Sequence, residues 1–140
     1  MTSSDHERAT DRCAEALEIL EKKQNIKYDI IIMVQGDEPM INPAMISEGL
    51  QPILDDSTLQ ITNLMGKIET ETEFKDPNVV KVVCNITGHA LYFSREPIPS
   101  QKNIKKTSVF KQYCIIMFQR DFLLEYLRIS PTPLEKVESI

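Results

Sequence analysis

Apolar residues recur along this chain in two rhythms, and the rhythms divide it into elements. Between Thr10 and Lys22, the residues Cys13, Ala16, Leu17 and Leu20 fall at the spacing of one helical face, which predicts a helix. The polar run "KKQNIK" ends that pattern. From Tyr28 to Val34 six of the seven residues are apolar, with no alternation. A strand of that kind is covered on both faces, as in the middle of a mostly parallel sheet. It runs without a spacer into Gln35-Gly36-Asp37-Glu38-Pro39. Asn42-Pro43 has the form of an N-cap followed by a first helical residue. The helix predicted from Ala44 to about Ile53 carries Ile46, Leu50 and Ile53 on one face, and Pro52 is expected to kink it or end it early.

Leu59 to Lys67 reads as a second strand. "DPNVVKVVCNITGHALYFSR" contains two β-rich runs around Asn85-Ile86-Thr87-Gly88, a hairpin signal. "REPIPSQKNIKK" is polar with two prolines and reads as a loop. Phe110 to Phe118 is another apolar strand, followed by a short helix from Asp121 to about Arg128. Thr132-Pro133-Leu134-Glu135 then has the start signals of a helix, with a Thr cap, Pro at the first position and Glu at the third. Nothing in "KVESI" stops it, so the sequence is expected to end inside an element.

Strands alternating with helices predict a three-layer α/β sandwich. In such sheets ligands bind beyond the carboxyl ends of the strands, where Asp37 stands. Gly36 allows a sharp turn and close approach to a ligand, and Pro39 stiffens the exit. A carboxylate held there suits Mg²⁺ bridging to phosphates. The competing reading is a solvated turn, since turns commonly contain Gly, Asp and Pro. The residues alone leave both open.

Composition narrows the classes. At 140 residues the chain is expected to be one domain, and 41% hydrophobic with 26% charged is ordinary for a globular protein. A net charge of -5 argues against a nonspecific nucleic-acid or anionic-membrane surface. No apolar run has the length of a membrane span, and "MTSSDHERATDR" lacks a signal-peptide core, so a cytoplasmic location is expected. Cys13, Cys84 and Cys114 are odd in number and widely spaced, which predicts buried free thiols.

Several segments together resemble the 3-deoxy-manno-octulosonate (Kdo) cytidylyltransferases. "VQGDEPMI" is similar to that family's signature, and "MTSSDHERATDRCAEAL" to its T-x-x-x-H-x-S-G-T-[ED]-R stretch. "DPNVVKVVCNITGHALYFSREPIP" resembles its N-x-V-K-V-V … G-x-A-L-Y-F-S-R-x-P-I-P segment, and "SPTPLEKVES" its S-P-L-E-x-x-E segment. The resemblance implies a three-layer α/β/α, nucleotide-diphospho-sugar-transferase-like (Rossmann-like) fold. It implies an enzyme that joins CTP to a keto sugar acid with Mg²⁺, for lipopolysaccharide or surface-polysaccharide synthesis, working as a homodimer through the segment from Leu91 to Phe118. By the same likeness Asp37 is a Mg²⁺ ligand and catalytic residue that also faces the nucleotide. Gln35 binds the sugar acid, and His6, Thr10 and Arg12 lie at the nucleotide. Arg95 pairs with the sugar carboxylate as a second catalytic residue, with Gln112 nearby in the sugar pocket and Lys81 adding positive field.

The chain departs from the pattern in places. Arg8-Ala9 replaces Ser-Gly, Gln112 and Ile116 replace a His and a Tyr, and Cys114 and Met117 replace glycines. A different acid, an amino-octulosonate or a nonulosonate, is the alternative substrate, and a non-catalytic module is the alternative class. The family's P-A-R-x-x-S-x-R-L-P-G-K loop and its second metal aspartate have no counterpart here, so the fold is expected to be incomplete at both ends. Among other residues, His89 reads as a strand-face residue, Asp55-Asp56 as a loop, and Glu38 as a helper of Asp37 or as a solvated or helix-start carboxylate.

Overall fold

A computed structural model describes residues 1–6, 8–36, 38–100 and 108–140. The elements are α1 (Ala9–Gln24), β1 (Ile30–Val34), α2 (Pro43–Asp55), β2 (Ile61–Lys67), α3 (Glu71–Lys75), β3 (Lys81–Cys84), β4 (Ala90–Ser94), β5 (Phe110–Gln119), α4 (Arg120–Tyr126) and α5 (Pro133–Glu138). The strands order β1-β5-β3-β4, with β2 also pairing β5. The chain divides into two compact units, residues 1–64 with 114–130, and residues 65–113 with 131–140.

The first unit is layered. Ile30 to Val34 pair antiparallel with Gln119 to Ile115. On one face Met33 and Phe118 are buried with Ala14 and Leu17 of α1 and Leu123 of α4. On the other, Ile115 and Met117 are buried with Ile53 of α2, and Ile30 and Ile32 pack against them. The double-sided apolar run of β1 therefore has helices on both faces, as its composition predicts. Fully burying one such side chain contributes about 1.5–3 kcal/mol, against roughly 0–1 kcal/mol for an exposed ion pair. The apolar stripes, rather than the surface charges, dock these helices.

The expected parallel arrangement is not what forms. The β1–β5, β3–β4 and β3–β5 pairs are all antiparallel, and β1 stands at one end of the order rather than in its middle. Two-faced burial reports coverage by helices, which does not fix strand direction. Nor does Pro52 shorten its helix. α2 continues to Asp55, and the Pro52 carbonyl accepts the Asp56 N–H at 3.0 Å. The ring lies in the last turn, opposite an exposed Glu48, where the missing bond costs little. At the start of α2 the Asn42 side chain accepts the Met45 N–H, as its position predicts.

In the second unit β3 and β4 form the expected hairpin, with Gly88 at φ +84° in its turn. Ile68, Phe74 and Val109 are its buried apolar cluster. Phe74 lies on α3, a helix of five residues that begins at a Thr70 cap and is too short to show a periodic face. α5 starts with the predicted capping box between Thr132 and Glu135. Its last residue is Glu138, with Ser139 in the left-handed region at φ 53°.

Candidate functional site

A cleft of about 630 Å³ opens at the carboxyl end of β1, lined by Arg12, Cys13, Gln35 and Gly36 together with Thr2 and Ala9. The first turn of α1 forms one wall. Arg8 precedes that helix and gives it no side-chain cap. Its guanidinium instead grips Asp11 through two bonds, at 2.8 and 3.1 Å, and lies 6.0 Å from the Tyr126 ring. The arginine that replaces a serine is therefore anchored to its own helix.

Arg12 Nη1 donates to the Thr2 hydroxyl at 3.0 Å and the Ser3 carbonyl at 2.8 Å, which ties residues 2 and 3 to the cleft wall. Glu15 completes the tie. Its carboxylate accepts the Ser3 N–H at 2.8 Å and pairs with His6 Nε2, and the His6 bond is the main reason its pKa lies below the usual carboxylate value. His6 is thus bound to α1 by Glu15, while Thr10 sits half-buried in the helix's first turn.

Gln35 and Gly36 lie at the end of β1. Gln35 N–H donates to the Cys114 carbonyl at 3.3 Å, and the Gln35 carbonyl accepts the Glu38 N–H at 3.2 Å. The Glu38 carboxylate turns back to accept the Cys114 N–H at 2.8 Å. Glu38, half-buried, is therefore tied to β5 through its side chain rather than to the start of α2. Gly36 is not in a left-handed conformation, so it is not needed for a sharp turn. A Cβ built on it meets nothing within 4 Å. Asp37, on which the metal, nucleotide and catalytic expectations converge, lies outside the described residues. Among the described residues no three His, Cys, Asp or Glu groups cluster to hold a metal.

The remaining expected residues belong to the second unit. Arg95 donates from Nε to the Glu138 carbonyl at 2.9 Å, from Nη1 to that of Pro77 at 3.0 Å, and from Nη2 to that of Ser139 at 2.8 Å. Its N–H is held by the Glu138 carboxylate, which also accepts from Tyr92 and Ser94, and these bonds, Tyr92 first, lower the Glu138 pKa. Lys81 is buried at 0% exposure. Its ammonium donates to the carbonyls of Asp76, Val79 and Arg95, and burial lowers its pKa. All three of its N–H bonds are directed at carbonyls inside the protein, so it offers no hydrogen bond to a ligand. Gln112 continues the sheet with its N–H on the Val80 carbonyl at 2.9 Å.

His6, Thr10, Arg12 and Gln35 thus share the first unit, with Arg12 and Gln35 on the cleft itself. Sequence reasoning missed Thr2, Cys13 and Glu15. Arg12 and Glu15 stand three apart on a helix, a spacing that brings side chains together. What each would hold lies outside any local pattern.

The cytidylyltransferase family model matches residues 1–140. The chain is 41% identical over its whole length to the 3-deoxy-manno-octulosonate cytidylyltransferase of Geotalea uraniireducens and 42% identical to that of Geobacter metallireducens. It covers 58% and 57% of those proteins, a little over half their length. It also resembles a solved structure of CMP:2-keto-3-deoxy-manno-octonic acid synthetase complexed with CTP, with a TM-score of 0.87 and 38% identity, over all of this chain and 55% of that one.

Proposed function

This chain belongs to the cytidylyltransferase family, and we propose that it carries part of the active site of an enzyme that transfers CMP from CTP to a keto sugar acid. The acceptor is 3-deoxy-manno-octulosonate or a close analogue, and the product serves lipopolysaccharide or surface-polysaccharide synthesis. The observation that carries the reading is the cleft at the end of β1. It is lined by Arg12, Gln35 and a glycine whose missing side chain leaves open space.

In the reaction the anomeric hydroxyl oxygen bonds to the α-phosphorus of CTP as the bond to the β-phosphate oxygen breaks, and pyrophosphate leaves. The barrier is one of alignment and of charge on the phosphate oxygens. We assign Arg12, Thr10 and His6 to the nucleotide. Arg12 spends only Nη1 on acceptors among the described residues, which leaves Nε and Nη2 for phosphate or base. Gln35 hydrogen-bonds the sugar acid. Arg95 and Gln112 serve the same substrate, Arg95 through the two N–H bonds it does not spend on carbonyls.

Mg²⁺ suits the donor set. It keeps several waters and is commonly bound by one or two carboxylates plus substrate phosphates, so a single Asp37 needs no protein cage around it. When bound it neutralises phosphate charge. The replacement of a His and a Tyr by Gln112 and Ile116 favours an amino-octulosonate or nonulosonate as the second acceptor to try. The assembly we propose is a homodimer through the segment from Leu91 to Phe118, supported by Leu91 at 66% exposure on β4. The compartment is the cytoplasm, and no helix among the described residues is long and apolar enough to cross a membrane.

The test is pyrophosphate release from CTP and Mg²⁺ with each acid in turn. Acceptor-dependent release is expected from a protein containing this chain. The 140 residues by themselves are expected to stay near background. Asp37→Asn should abolish the Mg²⁺ dependence of CTP binding, and an unchanged Mg²⁺ titration would remove Asp37 from the site.

A further inference from the structure

The register that pairs Val34 with Ile115 sets Gln35 opposite Cys114 one step further on. In an antiparallel ladder, opposed residues of the hydrogen-bonded kind exchange two bonds, N–H to carbonyl in both directions. Here Gln35 N–H reaches the Cys114 carbonyl, and the Gln35 carbonyl accepts from Glu38 N–H. The Glu38 carboxylate in turn accepts the Cys114 N–H at 2.8 Å. Glu38 is thus joined to Gln35 through its backbone and to Cys114 through its side chain.

We propose that Glu38 is a positioning residue, a staple that fixes Gln35 and Gly36 against β5 and so sets one wall of the cleft. The assignment rests on the reading of that cleft as the nucleotide and sugar site. It explains how β1 can stop at Val34 while the Cys114 N–H opposite keeps an acceptor. It also explains how Cys114 can stand in the place of a glycine, since the staple uses only its backbone. A charged acceptor makes a stronger bond than a carbonyl does, so the loop end is held at least as firmly as the strand it leaves. Aspartate is one methylene shorter and does not reach.

Amide exchange in the ¹⁵N-labelled chain tests the staple directly. Glu38→Ala should speed exchange at Cys114 by about 10- to 100-fold, the range set by losing a hydrogen bond to a charged group. Glu38→Gln, whose amide oxygen still accepts, should restore most of the protection, and Glu38→Asp should not. Unchanged exchange at Ile115, Met117 and Phe118 shows that each variant is folded. In the turnover assay Glu38→Ala should lower kcat with little change in KM for CTP, and Glu38→Gln should recover it. Unchanged Cys114 exchange in Glu38→Ala overturns the assignment alone. So does a Glu38→Gln protein as inactive as Glu38→Ala, since the carboxylate would then be acting on the reacting groups. The turnover measurements use a longer protein that contains this chain, and if that protein in its wild-type form releases no pyrophosphate with any acid, the reading of the cleft is overturned, and the positioning role with it.

Discussion

Replacing Lys81 with methionine separates two roles that sequence alone does not distinguish. A lysine in a "VKVV" strand can point charge at a phosphate or can be an internal strut. The ammonium is fully buried and donates to three backbone carbonyls, those of Asp76, Val79 and Arg95. Methionine keeps most of the stem volume and deletes all three bonds. A hydrogen bond to a charged group is worth about 1.5–3 kcal/mol, so the gross loss is several kcal/mol. Against it stands the cost of burying an ammonium, also several kcal/mol, which the variant no longer bears. The Val79 and Arg95 carbonyls lose this donor, while that of Asp76 keeps the Val79 N–H at 3.1 Å; the balance tips toward loss, and a net destabilisation of about 2–4 kcal/mol is expected. That is a large share of a typical domain's 5–15 kcal/mol. The assay is urea denaturation, with the midpoint compared at an unchanged slope. A shift below about 0.5 kcal/mol, within the scatter of ordinary surface substitutions, would refute the strut and return Lys81 to the list of ligand-facing charges.

Other expectations follow from the same geometry. Gly36→Ala should leave the denaturation midpoint within about 0.5 kcal/mol, because its Cβ meets nothing, yet weaken CTP binding in a calorimetric titration. Gly66→Ala should destabilise the protein by about 1–3 kcal/mol in thermal unfolding, because its Cβ would stand 2.4 Å from the Tyr113 ring, which must shift to admit it. Glu21 is held at a pKa of about 2, chiefly by the hydrogen bond from Arg120. Its contribution is therefore present above about pH 4.5 and is lost as pH falls toward 2, and Arg120→Met should flatten that part of the stability-versus-pH curve.

Much of the fold was legible because the signals were local. Asn42-Pro43 and Thr132-Pro133 mark helix starts through their own backbone chemistry, and both caps form as read. The two-faced apolar run of β1 gave its burial between helices. Strand direction was not legible, because an apolar run looks the same whichever way its neighbour runs. The start of β1 was set too early for a related reason. Tyr28 N–H is spent on the Glu21 side chain of α1 rather than on a neighbouring strand, which the apolar run does not announce. At the site, the motif pointed to Gln35 and Arg12, and both line the cleft. The bond from Cys114 to Glu38 was not legible because the two are 76 residues apart. The burial of Lys81 was not legible because the carbonyls it meets come from Asp76, Val79 and Arg95, and nothing in a strand's period announces that.

The central claim is that the cleft between the first turn of α1 and the end of β1 holds the nucleotide. A titration of the ¹⁵N-labelled chain with CTP and Mg²⁺, followed by amide shifts, tests it most directly. The account predicts that saturable shifts concentrate at Ala9 to Cys13 and at Gln35 to Glu38, that Glu71 to Lys75 stay still, and that GTP produces much smaller changes. Shifts scattered over other elements, or the same pattern with GTP as with CTP, would contradict it.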